Sequence, residues 1–134
     1  MAPPITFILF LLLPLLVSSE SFDFSGQITC RTADRFSFMA TITQRTALLE
    51  RLISDAHLHV GVDNGQYSVR AYGQWEGAPT FLLIHHDCVN QNDRRHMTLR
   101  IPIGGNHHQN LDIDVTANGS PSEWPWPTSH TNYY

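Results

Sequence analysis

The sequence has no lysine, and all of its basic residues are arginines. Lys and Arg together number 8 against 12 acidic residues, which gives a formal net charge of −4. Only Arg94 and Arg95 are adjacent, so no basic stripe is present that could follow a polyphosphate backbone. Composition therefore argues against nucleic acid as a partner.

The common catalytic and nucleotide-binding motifs are also missing. The sequence has no G-x-S-x-G turn, no P-loop and no dinucleotide fingerprint. Its two cysteines do not form the C-x-x-C pair of a thiol-disulfide oxidoreductase. We therefore expect no catalytic residues and no cofactor, and we predict that the protein is not an enzyme.

There is a single long apolar run, from Ile5 to Val17, which gives way to Ser18, Ser19 and Glu20. Such a run of about 7–15 residues ending in small residues is typical of a secretory signal peptide, whereas a membrane span needs about 20. We predict a signal peptide over residues 1–19 and a secreted, extracellular protein with no membrane span in the mature chain. The alternative is an uncleaved signal anchor.

Cys30 and Cys88 are the only cysteines, and both lie in the predicted mature chain. An exported protein meets an oxidising environment, where an even number of cysteines usually indicates a disulfide. A Cys30–Cys88 bridge would stabilise the fold by about 4 kcal/mol on the chain-entropy model, because it closes a long loop in the unfolded chain. Two free thiols, or a bridge to another chain, are the alternatives.

Alternation of apolar and polar side chains with a period of two dominates the mature chain, as in strands with one buried face. Phe81-Leu82-Leu83-Ile84 is apolar on both faces, which indicates a central strand. Asp63-Asn64-Gly65 tolerates positive φ and predicts a tight hairpin turn. The predicted strands cover residues 22–30, 36–43, 57–62, 67–71, 81–84, 96–103 and 111–116. This pattern predicts an all-β fold, an antiparallel β-sandwich of about seven strands over residues 20–117.

Two segments depart from this pattern. Residues 46–56 place Leu48, Leu49, Leu52 and Ile53 at helical spacing after a potential N-cap, Thr46, which favours one short helix over a loop with a buried side. Residues 118–134 alternate Trp and Pro, which favours extended chain and predicts a flexible tail. An aromatic docking segment for another protein or a glycan is the alternative for that tail.

Three landmarks follow one another along the chain: Ser25-Gly26-Gln27-Ile28-Thr29-Cys30, then Asn64-Gly65-Gln66-Tyr67, then Leu82-x-Ile84-x-His86-x-Cys88 followed by Leu99-Arg100-Ile101-Pro102. Together they resemble the nematode transthyretin-like family of secreted proteins. The resemblance covers residues 22 to about 116. It implies a transthyretin-like sandwich and a carrier or recognition role.

The sequence also differs from that family. Gly61-Val62 stand where Thr-Asp is usual, and Tyr67 replaces Phe. The family's further cysteine after the H-x-C is absent, so the resemblance leaves only Cys30–Cys88 as an intramolecular bridge. Hydroxyisourate hydrolases share the transthyretin fold but end in Tyr-Arg-Gly-Ser, whereas this chain ends in Tyr133-Tyr134.

The sequence has eight histidines, so metal binding is one possible function. His57 and His59 lie two apart on a predicted strand and are expected to share its outer face, where they could hold Cu²⁺ or Zn²⁺. Adjacent His85 and His86 should point to opposite sides, as should His107 and His108. No spacing specifies three or four convergent ligands, so we expect solvated histidines and no metal site. His86 shares its phase with the apolar positions of its strand, so we interpret it as a hydrogen-bonded core or rim histidine.

Asn118-Gly119-Ser120 matches the acceptor pattern for N-glycosylation, although Pro121 follows it. We therefore name Asn118 as the candidate site of a glycoprotein. The leading functional hypothesis is a secreted binding module that recognises an extracellular protein, a cell-surface component or a small ligand. The alternatives are a carrier of a hydrophobic or metal ligand and a divergent hydroxyisourate-hydrolase-like enzyme.

Overall fold

The computed structural model describes residues 20–63, 65–90, 95–105 and 107–121. The predicted signal peptide and residues 122–134 of the predicted tail lie outside this part of the chain. The described residues contain no helix and form ten strands in two sheets. The strands are β1 Ser21–Thr29, β2 Phe36–Arg45, β3 Glu50–Leu52, β4 Leu58–Val62, β5 Gly65–Tyr72, β6 Thr80–His86, β7 Met97–Ile103, β8 His108–Asn110, β9 Ile113–Asp114 and β10 Ser120–Pro121.

The larger sheet is wholly antiparallel and has the order β10-β7-β6-β2-β3, with β4 also pairing β2. β6 lies at its centre between β2 and β7, as its run of apolar residues predicts. Leu82 and Ile84 point toward the smaller sheet, and Leu83 points away from it. All three are buried, so this strand is covered on both faces.

The smaller sheet has β1 at its centre, paired antiparallel with β5 and parallel with β8 and β9. Between β8 and β9, the backbone of Leu111 lies directly against Gly26 of β1. The carbonyl oxygen of Leu111 would lie 2.2 Å from a Cβ at Gly26, which also has a φ of +154°. Glycine is required here because any side chain would displace the strand beside it.

The core lies between the two sheets and confirms the predicted β-sandwich. In β1, Phe22, Phe24 and Ile28 are buried, which is the alternation that the sequence indicates. The larger sheet contributes inward side chains from β2 and β6, including Phe38, Ile42 and Leu82. The smaller sheet also contributes Tyr67 and Val69 of β5 and Ile113 of β9, and Val115 follows them in the chain.

The predicted hairpin at residues 63–65 is wrong. β4 and β5 follow each other in the chain, but β4 pairs β2 in the larger sheet and β5 pairs β1 in the smaller one. The connection is therefore an arch between sheets. Turn residues specify that the chain reverses, but the partner of each strand is decided by the core it faces.

The predicted short helix over residues 46–56 is also wrong. Thr46 does bond to a residue three positions on, because its hydroxyl and its amide group both contact the backbone of Leu49. These bonds close a tight turn between β2 and β3. Leu48 is 94% exposed, so the apolar side of the expected helix has no core to pack on. Pairing of residues 50–52 with β2 prevails over the helical spacing.

The sheet extends beyond the predicted domain boundary at residue 117. Ser120 and Pro121 pair with Thr98 and Met97 of β7 and form the edge strand β10. The amide group of Ala117 also donates to the carbonyl of Cys88 at 2.9 Å. The first residues of the predicted flexible tail therefore belong to the sandwich.

The predicted disulfide between Cys30 and Cys88 is present, with a Cα–Cα distance of 5.9 Å. Cys30 follows the end of β1, and Cys88 follows the end of β6. The bridge therefore ties the central strand of one sheet to the central strand of the other across 58 residues of sequence.

We predict that replacing both cysteines with serine lowers the free energy of unfolding by about 4 kcal/mol, because the unfolded chain loses the constraint of the closed loop. Urea denaturation of both proteins under oxidising conditions measures this difference. Reducing agent should shift the midpoint of the parent and leave that of the double variant unchanged. A double variant with parental stability would contradict the prediction.

Candidate functional site

The sandwich is open along one side, where a cleft of about 540 Å³ lies between the two sheets; we call it the edge pocket. Its floor consists of Ala40 from β2 and of Tyr67 and Val69 from β5. Its rim is formed by side chains of residues 55–59 on one side and by β5 on the other. The pocket thus combines an apolar floor with a polar rim.

The topology of the strands opens this cleft. Among the described residues, β4 pairs only with β2 and β5 pairs along its length only with β1, apart from one isolated bridge between Ser54 and Ala71. Each sheet therefore ends in a strand with a free edge on this side. A small molecule could enter between these two edges without displacing any strand of the core.

His59 places a neutral imidazole in this cleft. Its ring stacks on the buried ring of Phe38, with centroids 4.6 Å apart and planes within 10°. Burial lowers the pKa of His59, and the neighbouring His57 lowers it further. At neutral pH the ring is therefore uncharged and retains one nitrogen that can accept a hydrogen bond.

The expected position of His57 and His59 needs correction. Both line the edge pocket between the sheets, whereas the sequence places them on an outer face. The two histidines do lie on the same side of the chain, but that side faces the edge pocket and not the outer face. β4 is an edge strand of the larger sheet. His59 pairs with Phe38, whose side chain points inward, and therefore points inward as well.

Among the described residues, the polar groups of the rim have few hydrogen-bond partners. His57, His59 and Ser68 make no side-chain hydrogen bond to another described residue, and Gln66 likewise makes none. Arg70 is engaged in an ion pair with Asp23 at 3.3 Å. In the floor, the Tyr67 hydroxyl donates to the carbonyl of Leu111 at 2.7 Å, and burial followed by the charge of Asp112 raises its pKa to about 12. The rim therefore offers donors and acceptors that a ligand could satisfy.

No group of three or more His, Cys, Asp or Glu side chains within the described ranges is arranged to hold a metal ion. The two histidines of the edge pocket form only half of a tetrahedral donor set.

A second depression, which we call the outer groove, lies on the face of the larger sheet that points away from the smaller sheet. It measures about 700 Å³ and is lined by Leu83 and His85 of β6, Thr98 and Arg100 of β7, and the segment 118–121. At one end Arg100 binds both carboxylate oxygens of Glu50. The same guanidinium lies 4.8 Å from the centroid of the Phe81 ring.

His85 and His86 point to opposite faces of β6, as predicted. The interpretation of His86 as a satisfied core histidine agrees with the structure: its Nε2 donates to the carbonyl of Asn118 at 2.7 Å, and its Nδ1 accepts from the amide of Cys88 at 3.1 Å. His85 faces the outer groove between the hydroxyls of Thr41 and Thr98, at 3.3 and 3.0 Å. Burial, and then the nearby His86, lower the pKa of His85 to about 4.

The other candidate residues are not brought to either site as a group. His107 packs against Phe22 with ring centroids 4.7 Å apart, and His108 contacts the hydroxyl of Ser21 on the exposed side. Asn118 lies at the margin of the outer groove with an exposed side chain, while its backbone bonds to His86.

Comparisons with protein-family models, with curated proteins and with solved structures found no match to this chain. The arguments for function therefore come from the geometry of the two depressions.

Sequence reasoning missed both depressions, although it named several of their residues. The edge pocket depends on β4 and β5 lying in different sheets, which contradicts the expected hairpin. The outer groove depends on Ser120 and Pro121 pairing with β7. The one signal for the outer groove is that Phe81-Leu82-Leu83-Ile84 is apolar on both faces, because the face away from the core must also be covered.

We predict that stability falls between about pH 6.5 and pH 4 because His85 is buried as a neutral ring. Its pKa is lower in the folded chain than in the unfolded chain, so the unfolded state takes up the proton first as the pH falls. The stability is complete above pH 6.5 and decreases by about 3 kcal/mol by pH 4. Urea denaturation at a series of pH values measures this change.

His85→Gln should flatten this part of the pH profile, whereas His108→Gln, at an exposed position, should leave it unchanged. If His85→Gln and the parent lost the same stability over this range, the burial of a neutral imidazole would not be the cause.

Proposed function

We propose that the protein is a secreted, non-enzymatic binding module of the transthyretin-like kind, and that it binds a small amphipathic ligand in the edge pocket. The observation that carries this proposal is the pocket itself: an apolar floor under a polar rim in which His57, His59 and Ser68 make no side-chain hydrogen bond to another described residue. Pockets for small ligands characteristically combine apolar walls with a few such polar groups.

The chemistry of the rim favours a ligand with a flat apolar part and uncharged polar substituents. The His59 ring continues the stack that begins with Phe38, so a planar group could pack alongside it. The guanidinium of Arg70 is already paired with Asp23, which reduces its attraction for an anion. Neutral His59 and the hydroxyl of Ser68 can each donate or accept one hydrogen bond.

Binding is a better fit to this geometry than hydrolysis. The pocket contains Asp55, His57 and Ser68, the residue types of a hydrolytic triad. A nucleophile, however, is activated by a base that is itself oriented by a third group. No hydrogen bond joins these three side chains in the part of the chain that the structure describes.

Export is supported by two observations. The apolar run before residue 19 has the length of a signal peptide, and the Cys30–Cys88 bridge is of the kind that persists in oxidising compartments. The described residues contain no helix with the length and hydrophobicity that crossing a membrane requires.

We predict that Ser68→Trp abolishes ligand binding because the large ring fills the mouth of the edge pocket. Tyr72→Trp is the matched control, since Tyr72 lies on the same strand, is 71% exposed and does not line the pocket. Native mass spectrometry of protein purified gently from medium should show a small-molecule adduct on the parent and on the control, and none on Ser68→Trp. Equal adducts on all three proteins, or none on the parent, would contradict the proposal.

We predict that expression of the full 134-residue coding sequence in animal cells delivers a protein to the medium that begins near Glu20 and carries a glycan on Asn118. Intact mass and N-terminal sequencing test both points. Asn118→Gln should remove the extra mass without changing secretion, because the backbone of Asn118 keeps its hydrogen bonds to the His86 ring and to the carbonyl of Val115. Protein retained in the cell with residues 1–19 attached would contradict secretion, and a bare polypeptide mass would contradict the glycan.

A metal carrier is the second candidate, because the edge pocket brings two imidazoles to one side. Two protein ligands and two ligands from solution could complete a tetrahedral zinc site. A rise in melting temperature with stoichiometric Zn²⁺ that is lost in His59→Gln would favour this candidate over the amphipathic ligand. An unchanged melting temperature would remove it.

A further inference from the structure

The exposed apolar side chains of the described residues are concentrated on the hairpin of β2 and β3. Five large apolar residues are exposed in that part of the chain, and three of them, Leu48, Leu49 and Leu52, belong to this hairpin. Leu48 is 94% exposed, the highest value of the five. Single exposed apolar residues need no explanation, but a contiguous group of them marks a surface that contacts something else.

The turn of this hairpin, residues 46–49, is held by its own hydrogen bonds; we call it the leucine tip. The amide group of Thr46 donates to the carbonyl of Leu49 at 2.8 Å. The Thr46 hydroxyl donates to the same carbonyl at 3.1 Å and accepts from the amide group of Leu49 at 3.3 Å. A backbone group that is already paired costs less to remove from water, so this turn is suited to enter an apolar phase.

Arginine side chains stand on both sides of the leucine tip. Arg45 precedes it at the end of β2, and Arg51 follows it in β3. Arg45 lies 3.8 Å from Glu50, but Arg100 binds both carboxylate oxygens of Glu50. Arg45 therefore shares its carboxylate with a closer guanidinium, and its side chain remains 54% exposed. Guanidinium groups bind phosphate oxygens well because their N–H donors match two oxygens at once.

Trp75 places an aromatic ring beside the same hairpin. The guanidinium of Arg51 lies 6.0 Å from the centroid of this half-buried ring, and the amide group of Trp75 donates to Oε1 of Gln44 in β2. Tryptophan rings are enriched where lipid headgroups meet acyl chains, and the long stem of an arginine lets its charged end reach the phosphates from there. The hairpin thus combines apolar, aromatic and cationic groups in the way that a lipid surface requires.

The charge of the whole chain indicates which lipid surface fits. The formal net charge is −4, so a strongly anionic bilayer repels the molecule as a whole. Negative surface potential belongs to the cytoplasmic leaflet, whereas an exported protein meets the outer one. A zwitterionic phosphatidylcholine surface is therefore the favoured partner, with phosphate groups for the arginines and acyl chains for the leucines. This choice of lipid rests on the proposed export.

We propose that the leucine tip is a membrane-docking element: it inserts Leu48 and Leu49 into the surface of a phosphatidylcholine bilayer while Arg45 and Arg51 bind lipid phosphates. The contact is peripheral and reversible, because two leucines bury far less apolar area than a membrane-spanning segment does. No residue of the leucine tip lines the edge pocket, so docking and ligand binding use separate surfaces.

Flotation of the full-length secreted protein with phosphatidylcholine vesicles at millimolar lipid tests the docking. We expect the parent to bind, and Leu48→Gln to lower the partition coefficient several-fold because the inserted apolar area is lost. Val60→Gln is the matched control, since Val60 is 70% exposed and lies on β4, away from the leucine tip. It should bind like the parent, and both variants should keep the parental melting temperature.

Three flotation results would overturn the proposal. The first is a parent that does not bind, and the second is an equal loss of binding in Leu48→Gln and Val60→Gln. The third is binding that Leu48→Gln retains and that disappears when the salt concentration is raised to about 0.5 M, because charge alone would then hold the protein on the vesicle.

Nuclear magnetic resonance of the parent locates the contact. Vesicles that contain a spin-labelled phosphatidylcholine should broaden the amide signals of Ala47, Leu48 and Leu49 most and leave that of Val60 sharp. Strongest broadening at any other surface would contradict the proposal. Sedimentation without lipid should give a monomer. A dimer that Leu48→Gln dissociates would make a second copy of the chain the partner of the leucine tip, and membrane docking would be rejected.

Discussion

The pairing of β2 with β6 is the interaction on which the rest of the structure depends. The two strands are in continuous register from Phe38 opposite His86 to Gln44 opposite Thr80. Side chains on both faces of this pair are buried, which is unusual for an antiparallel sheet with one solvated side. The backbone hydrogen bonds between these two strands therefore lie between two sets of buried side chains.

Both candidate binding regions are built on this pair. On the inward face, Phe38 supports the stacked His59 and Ala40 contributes to the floor of the edge pocket. On the outward face, Leu83 and His85 form the base of the outer groove. The Cys30–Cys88 bridge attaches the end of β6 to β1 and so fixes the smaller sheet against the pair. The same strands thus stabilise the fold and position the residues that a ligand would contact.

The sequence pattern was sufficient for the features that depend on local alternation. The longer strands, the central place of β6 and the satisfied His86 follow from which side chains share a face, whereas the disulfide follows from two cysteines in a chain predicted to be exported. The arch between β4 and β5 does not, because Asp63-Asn64-Gly65 is compatible with a hairpin or with a change of sheet. The choice is made by long-range pairing with β1 and β2.

Gln44 illustrates a second limit of sequence reasoning. It is 0% exposed, yet nothing in its sequence neighbourhood marks it as buried. Its Oε1 accepts from the amide groups of Gln74 and Trp75, and its Nε2 donates to Thr80 and to the Trp75 carbonyl. One amide thereby satisfies a loop thirty residues away, and only the assembled fold shows that partner. The candidate pockets have the same origin, since they arise where distant strands end beside each other.

Hydrogen exchange measured residue by residue on the native protein tests the central place of the β2–β6 pair most directly. The account predicts that the amides of Ala40, Ile42, Leu82 and Ile84 exchange slowest in the chain, at rates limited by global unfolding. The amides of β1 and β5, in the smaller sheet, should open at lower free energy. Slower exchange in the β1–β5 pair than in β2 and β6 would contradict the account.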